Sequence, residues 1–210
     1  MNAQQILDAT IASLPKDERP TLLLHACCAP CSSYVLEYLA KHFRITLFFY
    51  TPNISPAEEY RARLDELCRL TREMGLSDDV SVLEGNYDPD RFEALVKGLE
   101  ALPEGGSRCY LCYSLRLSEA SRVAAEGGFD YVCTTLSISP HKNAAWLNEI
   151  GCEEAARHGV TYLVSDFKKK NGYKRSCELS AQYGLYRQDF CGCIYSRQAR
   201  ERQKTDTQTT

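Results

Sequence analysis

Seven of the eleven cysteines in this 210-residue chain lie in three short segments that are far apart in the sequence. The first cysteine segment holds Cys27, Cys28 and Cys31. The second holds Cys109 and Cys112, and the third holds Cys191 and Cys193. Thiolates bind zinc and iron–sulfur clusters, and paired thiols also carry redox chemistry. Four thiolates complete one tetrahedral zinc site or one [4Fe–4S] cluster, so seven indicate a cluster with either a second metal or a redox thiol pair. The surplus favours iron–sulfur chemistry over structural zinc.

The spacing within each segment allows its sulfur atoms to converge. Adjacent residues of a regular strand point to opposite faces, so the neighbouring thiols of the first segment can share a site only in an irregular turn. The second segment is a Cys-x-x-Cys pair in a helical pattern, which places both thiols on one face with Arg116, whose charge can offset a thiolate. Such a pair alone suits a zinc half-site, a redox dithiol or cluster ligands. Gly192 permits a turn that brings the third pair together.

The other cysteines have no cysteine nearby in the sequence, and we expect them to pack as small apolar residues. They are Cys68, Cys133, Cys152 and Cys177. An odd cysteine count and an adjacent pair argue against a disulfide framework. The net charge of −3, the lack of a signal-peptide pattern and the lack of a long apolar run predict a cytoplasmic protein with reduced thiols and no membrane partner. Any surface that binds nucleic acid must therefore be local.

Strand and helix patterns alternate along the chain, which predicts a mostly parallel α/β sheet with helices on both faces. Five strands are expected, in the segments TLLLHA, RITLFFY, DVSVLEG, FDYVCTTL and VTYLVS. We expect one metal-binding catalytic domain over residues 1–197 and a polar, disordered tail over residues 198–210. Ligands of such sheets bind at the carboxyl ends of strands, where the first cysteine segment and residues 134–135 should lie.

Two histidines lie close to these predicted strand ends. His25 ends a strand and suits either a contact to a cluster or a structural role. His141 follows Leu-Ser-Ile-Ser-Pro in a loop, and it is a candidate for substrate contact or proton transfer. The candidate catalytic residues are His141, Cys27 and Cys31.

Four stretches, in this order, resemble the epoxyqueuosine reductases of the QueH type: LLHACCAPCSS, RCYLCYSLRL, TTLSISPHKN and YRQDFCGCIYS. The resemblance runs from about residue 20 to residue 197. It implies the adenine nucleotide α-hydrolase-like (HUP) fold, which is related to that of the pyrophosphatase-loop ATPases. Those ATPases carry Ser-Gly-Gly-x-Asp-Ser after the first strand, whereas this chain has Cys-Cys-Ala-Pro-Cys-Ser-Ser. We therefore expect no ATP hydrolysis.

The reaction that the resemblance implies is the last step of queuosine formation in tRNA. The cyclopentane epoxide of epoxyqueuosine, at the wobble position, is reduced to an alkene with loss of its oxygen as water, which requires two electrons and protons. A [4Fe–4S] cluster would deliver electrons singly, and an additional mononuclear iron with an open position would bind the epoxide oxygen. The implied partners are tRNA carrying epoxyqueuosine, through its anticodon loop, and an electron donor protein or other reductant.

The resemblance also implies which side chains bind metal. The ligand pool is Cys27, Cys28, Cys109, Cys112, Cys191 and Cys193. Cys31 is a seventh candidate, at a position where some family members have an aspartate, whose oxygen can also bind iron. The division of these ligands between two metals stays open.

Two segments combine basic and aromatic residues, which suits the phosphate backbone and unstacked bases of an anticodon loop. The candidates there are Lys174, Arg175, Tyr186 and Arg187. A solvated charged face is the alternative for the lysine-rich run over residues 168–175. Thr134, Thr135 and Ser139 are expected to line the base pocket, because their loop should leave the sheet beside the first cysteine segment.

Two other function classes stay open. An ATP-dependent tRNA sulfurtransferase-like enzyme also combines this fold with cysteine pairs, but it would need the phosphate loop that the sequence lacks. A zinc-stabilised RNA-binding module would leave the surplus thiols unexplained.

Overall fold

A computed structural model of the chain describes residues 1–15 and 18–208, and its centre is a sheet of five parallel strands. The strands are β1 (Thr21–Ala26), β2 (Arg44–Phe49), β3 (Val80–Glu84), β4 (Tyr131–Thr134) and β5 (Thr161–Tyr162). Their order across the sheet is β3-β2-β1-β4-β5. All five strands predicted from the sequence are confirmed, together with their parallel arrangement.

The helices cover both faces of this sheet, as predicted. They are α1 (Ala3–Ala12), α2 (Ala29–Leu39), α3 (Ala57–Glu73), α4 (Pro89–Leu95), α5 (Ser107–Glu126), α6 (Ala144–His158), α7 (Gly172–Gln182) and α8 (Ile194–Gln208). Side chains of β1 alternate between two apolar cores: Leu22 and Leu24 pack with Leu36 of α2 in one, and Leu23 packs with Ala120 of α5 in the other. A continuous apolar run is typical of a strand that is buried on both faces.

The chain leaves β1 and β4 towards opposite faces, which makes their carboxyl ends the topological switch point of the sheet. From β1 it turns directly into α2, and from β4 it passes through a 3₁₀ turn, Thr135–Ile138, towards α6. The first cysteine segment and residues 134–135 both lie at this edge, as expected. The first turn of α5 also reaches it, because α5 runs antiparallel to the strands that it covers.

Helix α8 differs from the sequence-based expectation. Residues 198–208 continue this helix, where the sequence predicted a disordered tail; residues 209–210 lie outside the described part. Arg197 pairs with Glu201 one turn later, and Lys204 pairs with Asp189, which precedes the helix, with Nζ–Oδ2 2.6 Å. These ion pairs stabilise a helix that lacks a strong apolar face. The composition of residues 198–208 does not show that Lys204 pairs with Asp189, which lies outside that segment.

Among the described residues, no helix is both long enough and apolar enough to cross a bilayer.

Gly151 of α6 provides a test of how closely the helices pack on the sheet. A Cβ atom at this position would lie 2.2 Å from Cζ of Tyr162 on β5. We expect Gly151→Ala to lower the free energy of unfolding by about 1–3 kcal/mol in urea denaturation, because the ring cannot move without disturbing the core. Alanine is intrinsically the better helix former by about 1 kcal/mol, so a stabilised variant would contradict this packing. Cys152→Ala, at the exposed neighbouring position, is the control and should change stability by less than about 0.5 kcal/mol.

Candidate metal centre

The first cysteine segment forms a compact group of three sulfur atoms, called here the three-thiol group. The Sγ atoms of Cys27, Cys28 and Cys31 all lie within 4.8 Å of one another. Cys27 follows the last residue of β1, Cys28 is the N-cap of α2, and Cys31 lies in the first turn of that helix. Pro30 fits this turn because its fixed backbone suits the start of a helix. The helix begins at Ala29, and the turn that leads into it, with its first helical turn, brings the three thiols together.

The three thiols differ strongly in acidity. Hydrogen bonding with Cys28 and Cys31, assisted by the positive charge of Arg116, holds the pKa of Cys27 well below the usual range of a thiol. The hydrogen bond with Cys27, together with burial, raises the pKa of Cys28 to about 12. Hydrogen bonding with Cys27 and Cys28 raises the pKa of Cys31. In the metal-free protein one thiolate is therefore stabilised at the expense of the other two.

The thiols of the second and third cysteine segments lie near one another but less closely than the first three, and they are called here the four-thiol group. Cys109 and Cys112 lie in the first two turns of α5, and Cys193 packs with Cys112 against Phe92. Burial, together with the charges of Cys191 and Cys193, raises the pKa of Cys112 to about 12. Cys109 also belongs to the apolar cluster that contains Cys27 and Cys28, so the two groups are neighbours.

Close packing fixes the loop that carries the third segment. Gly192 has a φ of +125°, and a Cβ atom there would lie 2.9 Å from Cγ1 of Ile54 and 3.2 Å from Nη1 of Arg63. The same Nη1 donates to the carbonyl oxygen of Cys191 at 3.0 Å, and the Ser55 N–H donates to that of Gly192 at 2.9 Å. The sequence-based expectation that Gly192 permits this turn is confirmed.

Arg116 is a buried cation between the two thiol groups. Its side chain is only 2% exposed, and its charge interacts with Cys112, Cys27 and Cys191. Burial alone would lower the pKa of Arg116, but these thiols outweigh burial and raise it. Its Nη2 atom has no hydrogen-bond partner among the described residues. The guanidinium therefore keeps one donor free beside the sulfur atoms, in agreement with the predicted role of offsetting thiolate charge.

His25 orients this arginine. Arg116 Nε lies 3.1 Å from His25 Nε2, which is also 3.1 Å from the carbonyl oxygen of Tyr50. His25 Nδ1 lies 2.9 Å from Oγ1 of Thr134. Burial, with the charge of Arg116, lowers the pKa of His25 to about 3, so the ring is neutral. Of the two roles that the sequence allowed for His25, the structure supports the structural one.

Two further cations were missed by the sequence analysis. Lys142 is 8% exposed, and its Nζ atom lies 2.9 Å from Sγ of Cys191 and 3.0 Å from Oε1 of Glu104. Arg63 of α3 is 2% exposed and is held by Glu59, with Nε–Oε1 2.7 Å. Lys142 follows the candidate His141 directly, so its place in the loop after β4 was the available signal. Arg63 lies on the buried face of α3, three residues after Tyr60 and four before Leu67, and this helical spacing was the available signal.

The other candidates after β4 have different surroundings. The side chain of His141 is exposed, and its backbone N–H donates to Oγ of Ser139 at 3.3 Å. Thr134 is buried, and its hydroxyl oxygen contacts His25 and accepts from the Leu136 N–H. Thr135 is also buried, and its hydroxyl has no partner among the described residues. The loop thus lies beside the first cysteine segment as expected, whereas roles in substrate binding or proton transfer stay predictions.

The basic candidates divide into two places. Tyr186 lies near the third cysteine segment, since its hydroxyl donates to Oε2 of Glu59, the carboxylate that holds Arg63. Arg187 donates to Oγ of Ser180 at 3.0 Å and is otherwise exposed.

The lysine-rich run lies elsewhere, on and before α7. Lys174 is exposed, and Arg175 pairs with Glu37 and Glu178. Lys168 and Lys170 also pair with carboxylates, those of Asp166 and Asp8. These ion pairs favour the solvated charged face that the sequence left open.

The residues at this edge fit a thiolate-bound, anionic centre. All eleven cysteines are free and lie in the described part of the chain, so none of the seven thiols is used by a disulfide. Buried cations flank both groups, and the free Nη2 donor of Arg116 lies among them. Buried charge is costly unless it is paired, so Arg116, which has no carboxylate partner among the described residues, indicates that anionic sulfur belongs beside it.

Comparison with known proteins agrees with this geometry. The family described as "Epoxyqueuosine reductase QueH" matches residues 22–199. The chain belongs to the QueH family. It is 44% identical to the epoxyqueuosine reductase QueH of Streptococcus pyogenes serotype M1 over 180 residues, 85% of this chain and 71% of the relative. It is 40% identical to that of Staphylococcus epidermidis over 203 residues, 93% of this chain and 84% of the relative. The resemblance seen in the four cysteine- and loop-containing stretches is confirmed.

Among solved structures, this QueH-family chain is similar to the U34-tRNA thiolase NcsA from Methanococcus maripaludis with its [4Fe-4S] cluster. The TM-score is 0.50 at 13% sequence identity, with 91% of this chain and 67% of the thiolase covered. This likeness supports the expected α/β fold.

The lowered pKa of Cys27 can be tested in reduced, metal-free protein. We expect a thiolate to persist below the ordinary thiol pKa of about 8.5 and to disappear only as the pH falls through the lowered value. Ultraviolet thiolate absorbance measures this titration. Arg116→Met should shift it to higher pH, since a stabilising cation is lost. An unchanged titration in Cys27→Ser would show that the thiolate belongs to another residue.

Gly192→Ala tests whether the third segment depends on its close packing. The added methyl group would contact Ile54 and Arg63, and the alanine backbone would have to adopt a strained φ. We therefore expect the free energy of unfolding to fall by about 1–3 kcal/mol. Cobalt titration, read by thiolate-to-metal absorption bands, should show weakened metal binding as well. Gly184 also has a positive φ but faces open space, which makes Gly184→Ala the matched control. Equal metal binding by both variants would contradict the proposed dependence.

Proposed function

We propose that this protein reduces the cyclopentane epoxide of epoxyqueuosine, at the wobble position of tRNA, to give queuosine. The observation that carries the proposal is the group of three thiols within 4.8 Å of one another, with thiols of two distant segments nearby, at the switch point of a QueH-family chain. The reaction takes up two electrons and two protons, breaks both carbon–oxygen bonds of the epoxide, forms one carbon–carbon double bond and releases water. A substrate of this size fits an open sheet edge rather than an enclosed core.

The cofactor that fits the site best is a [4Fe–4S] cluster, with an additional mononuclear iron. Such a cluster supplies electrons one at a time, and an iron with an open position supplies a Lewis acid. The four-thiol and three-thiol groups would hold these metals. Three protein ligands leave a position open, whether the three-thiol group holds a cluster or a single iron.

The side chains around the sulfur atoms have separate tasks in this proposal. Arg116 balances thiolate charge from inside the protein, and His25 keeps it in place. The Lys142 ammonium group balances the charge of Cys191 and also contacts the carboxylate of Glu104. Arg63 fixes the backbone of the third segment. Charge balance of this kind lowers the cost of burying several metal-bound thiolates together.

The tRNA is expected to approach this edge of the sheet, and the reductant remains to be identified by assay. Tyr186 and Arg187 are proposed contacts because they lie beside the third segment. Thr135 and Ser139 are proposed for the base pocket, and Thr134 supports it through His25. His141 is proposed as a substrate contact or proton donor, because its exposed side chain adjoins Lys142. Lys174 and Arg175 are weaker contacts, since Arg175 would have to leave two carboxylates. A cytoplasmic location is proposed with the tRNA substrate.

Cysteine substitutions test the cofactor and the activity together. We expect anaerobically reconstituted protein to bind iron and sulfide, to absorb visible light and to convert epoxyqueuosine in tRNA when a reductant is supplied. Cys109→Ser or Cys112→Ser should abolish the visible absorption and reduce the activity by more than about 100-fold, because a buried ligand is lost.

Cys68→Ser is the matched control, since Cys68 is half-buried on α3 and packs against the core of the sheet. It should keep the absorption and the activity. Equal loss in both sets would mean that ligand and core cysteines have been divided wrongly. Protein that contains only zinc and binds RNA without reducing it would support the RNA-binding alternative. ATP turnover coupled to sulfur transfer would support the sulfurtransferase alternative.

A further inference from the structure

Two aromatic side chains at the mouth of the thiol site have no role in the function proposed above. Tyr110 lies in the first turn of α5, directly after Cys109, and Trp146 lies in the first turn of α6. Their rings form an edge-to-face pair, with centroids 5.3 Å apart and an angle of 81° between the planes. Trp146 is the only tryptophan in the chain.

The pair is both held in place and close to the sulfur atoms. The side chain of Asn143 caps α6 by accepting from the backbone N–H of Trp146 at 3.2 Å. The Tyr110 hydroxyl donates to Oε1 of Glu149 at 3.2 Å. Both rings pack against the apolar cluster that contains Cys27, Cys28 and Cys109. Each ring is only partly buried. A rigid aromatic surface is therefore open towards solvent beside the three-thiol group.

Three other described aromatic rings around the cysteines are less available. Tyr113 is buried, with an exposed fraction of 2%. The guanidinium of Arg108 lies over the Tyr195 ring, 4.6 Å from its centroid, and that of Arg63 lies over the Phe190 ring at 5.3 Å. Each of these two rings has one face covered by an arginine. In an edge-to-face pair, by contrast, the ring that presents its edge keeps both faces free of its partner.

We propose that Trp146, braced by Tyr110, is the platform on which the unstacked wobble base of the anticodon loop stacks. The inference rests on the proposed function, which requires that base to leave the anticodon stack and enter the site. Aromatic side chains recognise single-stranded bases by such stacking, and a deazapurine base has the extended flat surface that an indole matches best. Stacking here would place the ring substituent of the base next to the three-thiol group, where Cys27 and Cys28 adjoin the same apolar cluster.

The single tryptophan allows stacking to be measured without turnover. The probe is an anticodon stem-loop RNA with unmodified guanine at the wobble position, titrated into the reconstituted protein without reductant. We expect tryptophan fluorescence to change on binding, and the same RNA with an abasic wobble position to bind about 10- to 100-fold more weakly without that change. Equal affinity and equal fluorescence change for both RNAs would overturn the proposal.

Substitutions supply the second arm of the test. Trp146→Ala should raise the Kd for the guanine RNA, and the KM for epoxyqueuosine tRNA, by about 10- to 100-fold, while iron content stays unchanged. Trp146→Phe retains a ring face and should recover most of the affinity. Cys152→Ala, exposed on the same helix, should match the wild type. Wild-type Kd and KM in Trp146→Ala would refute stacking.

The two arms separate this inference from the proposed function. If wild-type protein reduces epoxyqueuosine but neither Trp146 nor the wobble base affects affinity, only the stacking platform is wrong. If wild-type protein with its full iron content does not reduce the tRNA, the proposed function fails as well. If Trp146→Ala does not fold, Trp146→Phe and the abasic RNA still decide, since neither removes the apolar contact with the cysteine cluster.

Discussion

The electrostatic balance between buried sulfur and buried cations is the interaction on which the rest of this structure depends. Thiolates that are crowded into a water-poor edge repel one another, and each one raises the pKa of the next. Arg116, Arg63 and Lys142 reach this edge from three different elements and are buried there. The fold can therefore be seen as a way of bringing three cysteine segments and three cations to the same place.

The sheet makes this meeting possible because its strands run in parallel. Parallel strands present all their carboxyl ends on one edge, and the switch point between β1 and β4 opens a crevice there. Enzymes of this fold class often use that crevice for a phosphate, bound by the backbone amides of a glycine-rich turn. In this chain the turn after β1 presents thiols and a proline instead. The same helix start, with its favourable field for anions, now faces sulfur.

The sequence was sufficient for the parts that depend on local pattern. Strand periodicity located five strands, and cysteine spacing with Gly192 located the thiol segments. Arg63 was missed because its importance comes from a contact 128 residues away in sequence, at the carbonyl of Cys191. The helical course of residues 198–208 was missed for the same reason, since the pairing of Lys204 with Asp189 is not local. The helical period places Arg63 on the buried face of α3, but neither contact partner can be identified from local sequence.

Helix α8 starts immediately after Cys193 and turns back to Asp189 on the other side of that thiol loop. The C-terminal helix therefore acts as a clasp, and the order of the loop and the order of the helix depend on each other. If the loop opened, Lys204 and Arg200 would lose their carboxylate partner, so the loop and the last turns of the helix would loosen as one unit.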